Sequence, residues 1–229
     1  MNPVDALMGG LIVSCQAPVG SPLRHPRTMA QMAASAERHG AVGVRVEGAA
    51  DIAAVSACVA LPVLGIRKAH RPGSDVFITA TRADVDLVHD AGAGFIALDA
   101  TARSRPGGER LADVVAHAHA LGLGVVGDLA AVSDAEPARD SGVDALATTL
   151  IAASDQDVRP GGPNIRAIER IRELDLGLPL VAEGRFATAS DLDLARGAGA
   201  ASVVMGRALT DVDALIRDAA SHLRSASQR

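Results

Sequence analysis

Tryptophan and tyrosine are absent from this chain, phenylalanine occurs only at Phe77, Phe95 and Phe186, cysteine occurs twice and lysine once. With 48% hydrophobic residues over 229 positions and almost no aromatics, the core has to be built from Ala, Val, Leu and Ile. Such side chains suit many closely packed layers of helix and strand. Cys15 and Cys58 have no metal-ligand spacing and are too few for a disulfide framework. The start M-N-P-V-D-A-L lacks the basic segment and apolar run of a secretory signal, so a cytoplasmic protein with free thiols is expected. Positive charge is not in excess either. A net charge of -5, with no basic patch beyond Arg103 and Arg105, argues against a nucleic-acid partner. No apolar run has the length of a membrane span.

What is present is one rhythm, repeated. Short apolar, β-branched runs alternate with amphipathic stretches: L-I-V-S-C-Q, V-G-V-R-V, P-V-L-G-I-R-K, F-I-A-L-D-A, G-V-V-G-D-L, A-L-A-T-T-L, L-V-A-E-G-R and S-V-V-M-G-R. There are eight such runs, and each strand plus its return takes roughly 20 to 35 residues, the size of a βα unit. Continuous apolar strands alternating with helices imply a parallel sheet covered on its outer face. Met29, Met32, Ala33 and Ala36 make a helical stripe closed by Gly40, and Gly92, Gly122, Gly142 and Gly197 are expected to close later helices. Val212, Leu215, Ile216, Ala219 and Leu223 make a last stripe, with Thr210 as its expected N-cap. No stretch resembles a linker. The expectation is a single (β/α)8 TIM barrel spanning 1–229, of the phosphate-binding type, with an open doubly wound sheet as the alternative.

In such barrels the active site lies where the strands end. The polar residues there are Gln16, Arg45, Lys68, Asp99, Asp128, Thr149, Glu183 and Arg207. Lys68 stands out because every other basic residue is arginine. A guanidinium stays protonated, whereas a partly desolvated lysine can release its proton and act as a base. E-G-R at 183–185 and M-G-R at 205–207 place a glycine directly after strands seven and eight, the usual phosphate site of this barrel. Gly184, Arg185, Gly206 and Arg207 are therefore expected to offer backbone donors to a phosphoryl group. Asp99 either organises Lys68 or satisfies its own loop, and Cys15 is either reactive or a small core residue.

The motifs G-G-L-I-V-S-C-Q, G-V-R-V-E-G, L-G-I-R-K, S-D-V-F-I-T, A-L-D-A-T, A-T-T-L and V-A-E-G-R, in this order, resemble the N-acylglucosamine-6-phosphate 2-epimerase family from about Gly9 to the last helix. The resemblance implies a (β/α)8 barrel that interconverts N-acetylmannosamine 6-phosphate and N-acetylglucosamine 6-phosphate without a redox cofactor or a metal. It also implies a homodimer. By position it makes Lys68 and Glu183 catalytic, and it makes Gln16, Arg45 and Asp128 substrate contacts, with Thr149 beside them. The chemistry agrees: inverting a carbon next to an aldehyde needs an open-chain sugar, loss of the C2 proton and its return on the opposite face. Departures from the family pattern are Glu47 in place of an amide, Phe77 in place of tyrosine, Ala130 in place of a hydroxyl residue, and Ile151 to Ser154 in place of a tyrosine-containing loop.

Other chemistries fit less well. A Schiff-base aldolase on this scaffold carries its lysine on strand six, where this chain has A-T-T-L. A metal-dependent epimerase needs histidine and aspartate at strand ends, and none of the seven histidines is placed there. A phosphosugar-binding relative without turnover, or an epimerase for another phosphosugar, is the remaining alternative.

Overall fold

The computed structural model describes residues 3–152 and 161–226. Each apolar run forms a short strand: β1 Leu11–Cys15, β2 Gly43–Glu47, β3 Val63–Ile66, β4 Phe95–Asp99, β5 Gly124–Asp128, β6 Ala145–Ala147, β7 Leu180–Glu183 and β8 Ser202–Met205. All neighbours pair in parallel, in sequence order, and β8 returns to β1 to close a barrel. An open sheet would leave two edges and break that order, so the doubly wound alternative does not apply.

Between the strands run α1 Pro26–Arg38, α2 Ala49–Ser56, α3 Arg82–Asp90, α4 Leu111–Ala120, α5 Ala135–Asp140, α6 Ile165–Glu173 and α7 Ala189–Gly197. After β8 come the single-turn helix α8 Arg207–Thr210 and the longer α9 Val212–Ala226. The same local chemistry starts α3 and α7. Thr81 and Thr188 each cap the backbone N–H three residues on, and Asp84 and Asp191 reach back to close a capping box.

Alternation along the strands builds two cores. Ile12, Leu64, Ile66, Val126, Val181 and Val204 fill the barrel, and Leu7 and Val4 join them from a short turn ahead of β1. The intervening residues, such as Val44, Val46, Ile96, Leu98, Leu146 and Val203, pack against the helices. Aliphatic side chains allow close approach. At Gly65 in β3 a Cβ would lie 2.5 Å from Val88 Cγ1 and 2.9 Å from Ala93 Cβ.

The helical ring is thin in one place. Among the residues of α9 whose side chains are described, only Ala214 is fully buried, while Leu215, Ile216 and Leu223 are 45%, 63% and 68% exposed. Beneath the place an eighth helix would cover, a groove of about 400 Å³ is lined by Leu11, Ala189, Leu192 and Val203. A second groove, of about 310 Å³, is lined by Leu11, Val13, Met32 and Leu209. Two local expectations are corrected here. Thr210 does not cap α9, because its buried hydroxyl donates to the Ser14 carbonyl at 2.6 Å; the Asp211 carboxylate instead accepts from the N–H of Ala214 at 3.0 Å. Gly197 ends α7 as its last helical residue, and the left-handed turn falls on Gly199 with φ of 93°. Among the described residues, no helix is long and apolar enough to cross a membrane.

Candidate active site

A cavity of about 470 Å³ opens at the end of the barrel where the strands terminate. Gln16, Lys68, Thr149 and Glu183 line it. So do Gly184, Arg185, Gly206 and Arg207 on the side of β7 and β8. Eight of the ten residues expected at the site are thus brought together around one space.

The other two lie beneath it. Because Val44 and Val46 face the helices, Arg45 and Glu47 point inward, Arg45 one layer below the rim. Arg45 is only 1% exposed, and its guanidinium spans the barrel. It donates to Asp128 through Nη1 at 3.1 Å and Nη2 at 2.6 Å, and to Glu183 Oε2 through Nη1 at 2.8 Å. Thr149 Oγ1 is 2.6 Å from Asp128 Oδ1 and 3.2 Å from Glu183 Oε2. Burial disfavours the charge on Arg45, but Asp128 and Glu183 outweigh it and hold the guanidinium protonated more firmly than in water. One cation and two carboxylates therefore form a fixed network that rises from Arg45 and Asp128 beneath the floor to Glu183 at the cavity wall.

Glu183 and Lys68 are pushed toward each other in proton affinity. Burial raises the pKa of Glu183 above the ordinary carboxylate value, with the nearby Asp128 charge adding to it; Arg45, the Thr149 hydroxyl and Lys68 act in the opposite sense. The pKa of Lys68 falls below the ordinary amine value through desolvation first and Arg45 second, opposed by Glu47, Glu183 and Asp128. Lys68 Nζ donates to Gln16 Oε1 at 2.6 Å, and the Gln16 amide is itself oriented by its Nε2 bond to Ser14 Oγ at 2.8 Å. An acid made harder to ionise and an amine made easier to deprotonate, in one cavity, are suited to exchanging a proton with a bound molecule.

At the β7 end the backbone turns sharply, with φ of 118° at Gly184 and 63° at Arg185. A positive φ at a non-glycine residue is strained, and here side-chain bonds hold it: Arg185 Nε donates to the Gly162 carbonyl at 2.6 Å and Nη1 to the Ile151 carbonyl at 3.5 Å. Arg207 is paired with Asp218 at 2.7 Å and its side chain is 63% exposed. Both arginine side chains are thus engaged by protein groups. Gly206 caps α8 without any side-chain hydrogen bond.

The remaining expectations resolve by location. Asp99 serves its own loop, accepting from Thr101 N–H at 3.0 Å, from Thr101 Oγ1 at 2.7 Å and from Arg103. Buried Arg105 ties that loop to the Ala80 carbonyl at 3.1 Å and to the Asp99 carbonyl. Cys15 is a buried core residue whose thiol pKa burial pushes up to about 12. His117 and His119 leave α4 toward Asp86 and Asp144, in the outer layer. Phe77 stacks on His70 at 4.8 Å. Of the altered loop, Ala153 and Ser154 lie outside the described residues. Sequence reasoning missed Ser14 and Arg24, both lining the cavity. No sequence signal marked Arg24, whose partner Glu47 is 23 positions away.

Residues 29–224 match the family model described as "Putative N-acetylmannosamine-6-phosphate epimerase". The chain belongs to the N-acetylmannosamine-6-phosphate epimerase family. Among curated members of this epimerase family, a protein of Cutibacterium acnes is 40% identical over 90% of each chain, and one of Thermosynechococcus vestitus is 38% identical over 98% of each. Both are named "Putative N-acetylmannosamine-6-phosphate 2-epimerase". The solved structure of the N-acetylmannosamine-6-phosphate 2-epimerase from Clostridium perfringens superposes with a TM-score of 0.88, at 32% identity and over 95% of both chains. The family is one of isomerases, and the barrel and the cavity described above are the frame in which this epimerase chain presents Lys68 and Glu183.

Proposed function

We propose that the chain interconverts N-acetylmannosamine 6-phosphate and N-acetylglucosamine 6-phosphate, with Lys68 and Glu183 moving the C2 proton. The observation that carries this reading is that Lys68 and Glu183 line one cavity at the ends of the strands, where burial favours the neutral form of each. In the open-chain sugar the C2–H bond breaks toward the Lys68 amine, and its electron pair delocalises into the C1 carbonyl as an enolate. Glu183, as a carboxylic acid, returns a proton to the opposite face of C2. The reverse direction uses the same groups in exchanged roles. No electrons leave or enter the substrate, so the step is redox-neutral. Arg45 and Asp128 act from below by fixing the Glu183 carboxyl, and Thr149 donates within the same network. Gln16 holds the amine and is placed to meet a substrate hydroxyl once that bond loosens.

The phosphate is assigned to the backbone at Gly184, Arg185, Gly206 and Arg207. Their support is position: two strand ends, adjacent in the barrel, with glycine at the point of closest approach. The assembly is read as a homodimer in which the stripe of α9 covers a neighbouring barrel, and the exposure of Leu215, Ile216 and Leu223 supports it. A cytoplasmic location fits the free thiols and a phosphorylated substrate.

The deciding experiment is epimerisation in deuterated solvent by the wild type and Lys68→Arg. Arginine keeps the charge and loses the titratable amine. Turnover and C2 deuterium incorporation should fall together by about 10²-fold or more, with KM changed far less. Near wild-type turnover in Lys68→Arg would remove Lys68 from the mechanism.

A further inference from the structure

Lys68 does not stand on a strand. It lies two residues beyond β3, on a two-legged excursion over 67–79 whose register is set by Ala69 N–H to the Phe77 carbonyl at 2.9 Å and Thr79 N–H to the Arg67 carbonyl at 2.7 Å. A proton-transfer group on such a loop needs anchorage to the barrel if its amine is to meet C2 within a few tenths of an ångström. Two neighbours provide contact: Gln16 at the amine, and Glu47 at the main chain.

Glu47 is the last residue of β2 and its side chain is 14% exposed at the cavity rim. One carboxylate oxygen, Oε1, accepts from the backbone N–H of Lys68 at 3.4 Å, long for such a bond. The other, Oε2, accepts from Arg24 Nη2 at 3.0 Å. Arg24 in turn donates through Nη1 to the Ala17 carbonyl at 3.2 Å. The loop from β1 to α1, which contributes Ala17, Pro18 and Val19 to the cavity wall, is thereby joined to the same carboxylate that touches the catalytic loop. We infer that Glu47 is a positioning residue for Lys68, clamped by Arg24 so that the cavity wall and the amine are set by one carboxylate. This rests on the reading that Lys68 carries the C2 proton.

The charge matters as well as the reach. Lys68 is flanked by Arg45 and Glu47 from β2, Asp128 from β5 and Glu183 from β7, and Glu47 is the first of the three carboxylates that favour its ammonium form. Asp51 of α2 and Arg24 are the further charged groups around Glu47. Removing the charge of Glu47 therefore shifts Lys68 still further toward the neutral amine.

The test is the pH dependence of epimerisation of N-acetylmannosamine 6-phosphate by the 229-residue chain and five variants. Glu47→Gln should lower kcat by about 10-fold through misplacement, and the limb of the profile that titrates with Lys68 should move to lower pH. Glu47→Asp keeps the charge and loses reach, so it should lower kcat with that limb unmoved. Arg24→Gln should raise KM several-fold by freeing the wall. The Arg24→Gln, Glu47→Gln double variant should be little worse than the poorer single, since the two act as one unit. An unmoved limb in Glu47→Gln, or additive single effects, overturns the clamp. Lys68→Arg separates the two claims: if it stays active the Lys68 reading fails, and if it is inactive while Glu47→Gln behaves as wild type, only the clamp fails.

Discussion

Arg45 sets the terms on which Glu183 and Lys68 meet. As a buried cation beneath the floor, it restrains the rise in the Glu183 pKa and adds to the fall in that of Lys68. If Lys68 and Glu183 move the C2 proton as proposed, the form competent for transfer is the pair holding a single proton. Below the Glu183 pKa both groups are protonated and no base remains; above the Lys68 pKa both are deprotonated and no acid remains. Because the first is raised and the second lowered, the rate profile should be a bell narrower than unperturbed carboxylate and amine values would give. Glu183→Gln should abolish the acidic limb and lower kcat by about 10²-fold or more, and a bell unchanged in that variant would separate Glu183 from the chemistry. Lys68 was legible in the sequence because it was the only lysine, and Glu183 because it ended an apolar strand. The place of Arg45 was not. The run V-G-V-R-V gave no sign that β2 continues to Glu47, which sinks the guanidinium one layer below the rim. Nor does a sequence indicate that a surface-typical Arg24 ends on a carboxylate 23 positions away.

At the scale of elements, the near-absence of aromatics is expressed as distance. Helix α3 lies so close to β3 that Gly65 has no room for a side chain. Gly65→Ala should destabilise the fold by about 1–3 kcal/mol, since the colliding atoms are Val88 and Ala93 of a packed layer. Because β3 leads directly into the Lys68 loop, kcat of the folded variant should also fall. Denaturant unfolding and steady-state kinetics on the same preparation check both, and an unaltered midpoint would show that α3 can give way. All eight strands were legible from β-branched runs, and α1, α3, α4, α5, α7 and α9 from a stripe or a closing glycine. The loops were not, because their order comes from partners distant in sequence. The hydroxyl of Thr210 is used by Ser14, 196 positions away, so its short-range pattern as a cap was misleading.

At the scale of the molecule, phosphate and assembly are the testable features. If the backbone at Gly184 and Gly206 takes the phosphoryl group, the unphosphorylated sugar should bind at least about 10-fold more weakly, several charge-assisted hydrogen bonds being lost; titration calorimetry compares them, and equal affinity would dismiss the phosphate site. Light scattering should give twice the chain mass for the wild type and the single mass for Ile216→Asp, which places a charge in the middle of the exposed α9 stripe. A wild-type monomer would refute the dimer. Neither feature could be assigned beyond its residues from sequence, because a stripe such as Val212 to Leu223 reads the same whether it lies on its own barrel or a neighbour's. The uncovered stripe has a thermodynamic consequence. If the chain dimerises as proposed, the apolar cover over one arc of each barrel is supplied by a second molecule, so folding and association share one equilibrium and the melting temperature should climb with protein concentration. Dilution would then loosen the seam between β8 and β1, where Leu11 borders both grooves, before it reaches the side of the barrel that carries Lys68.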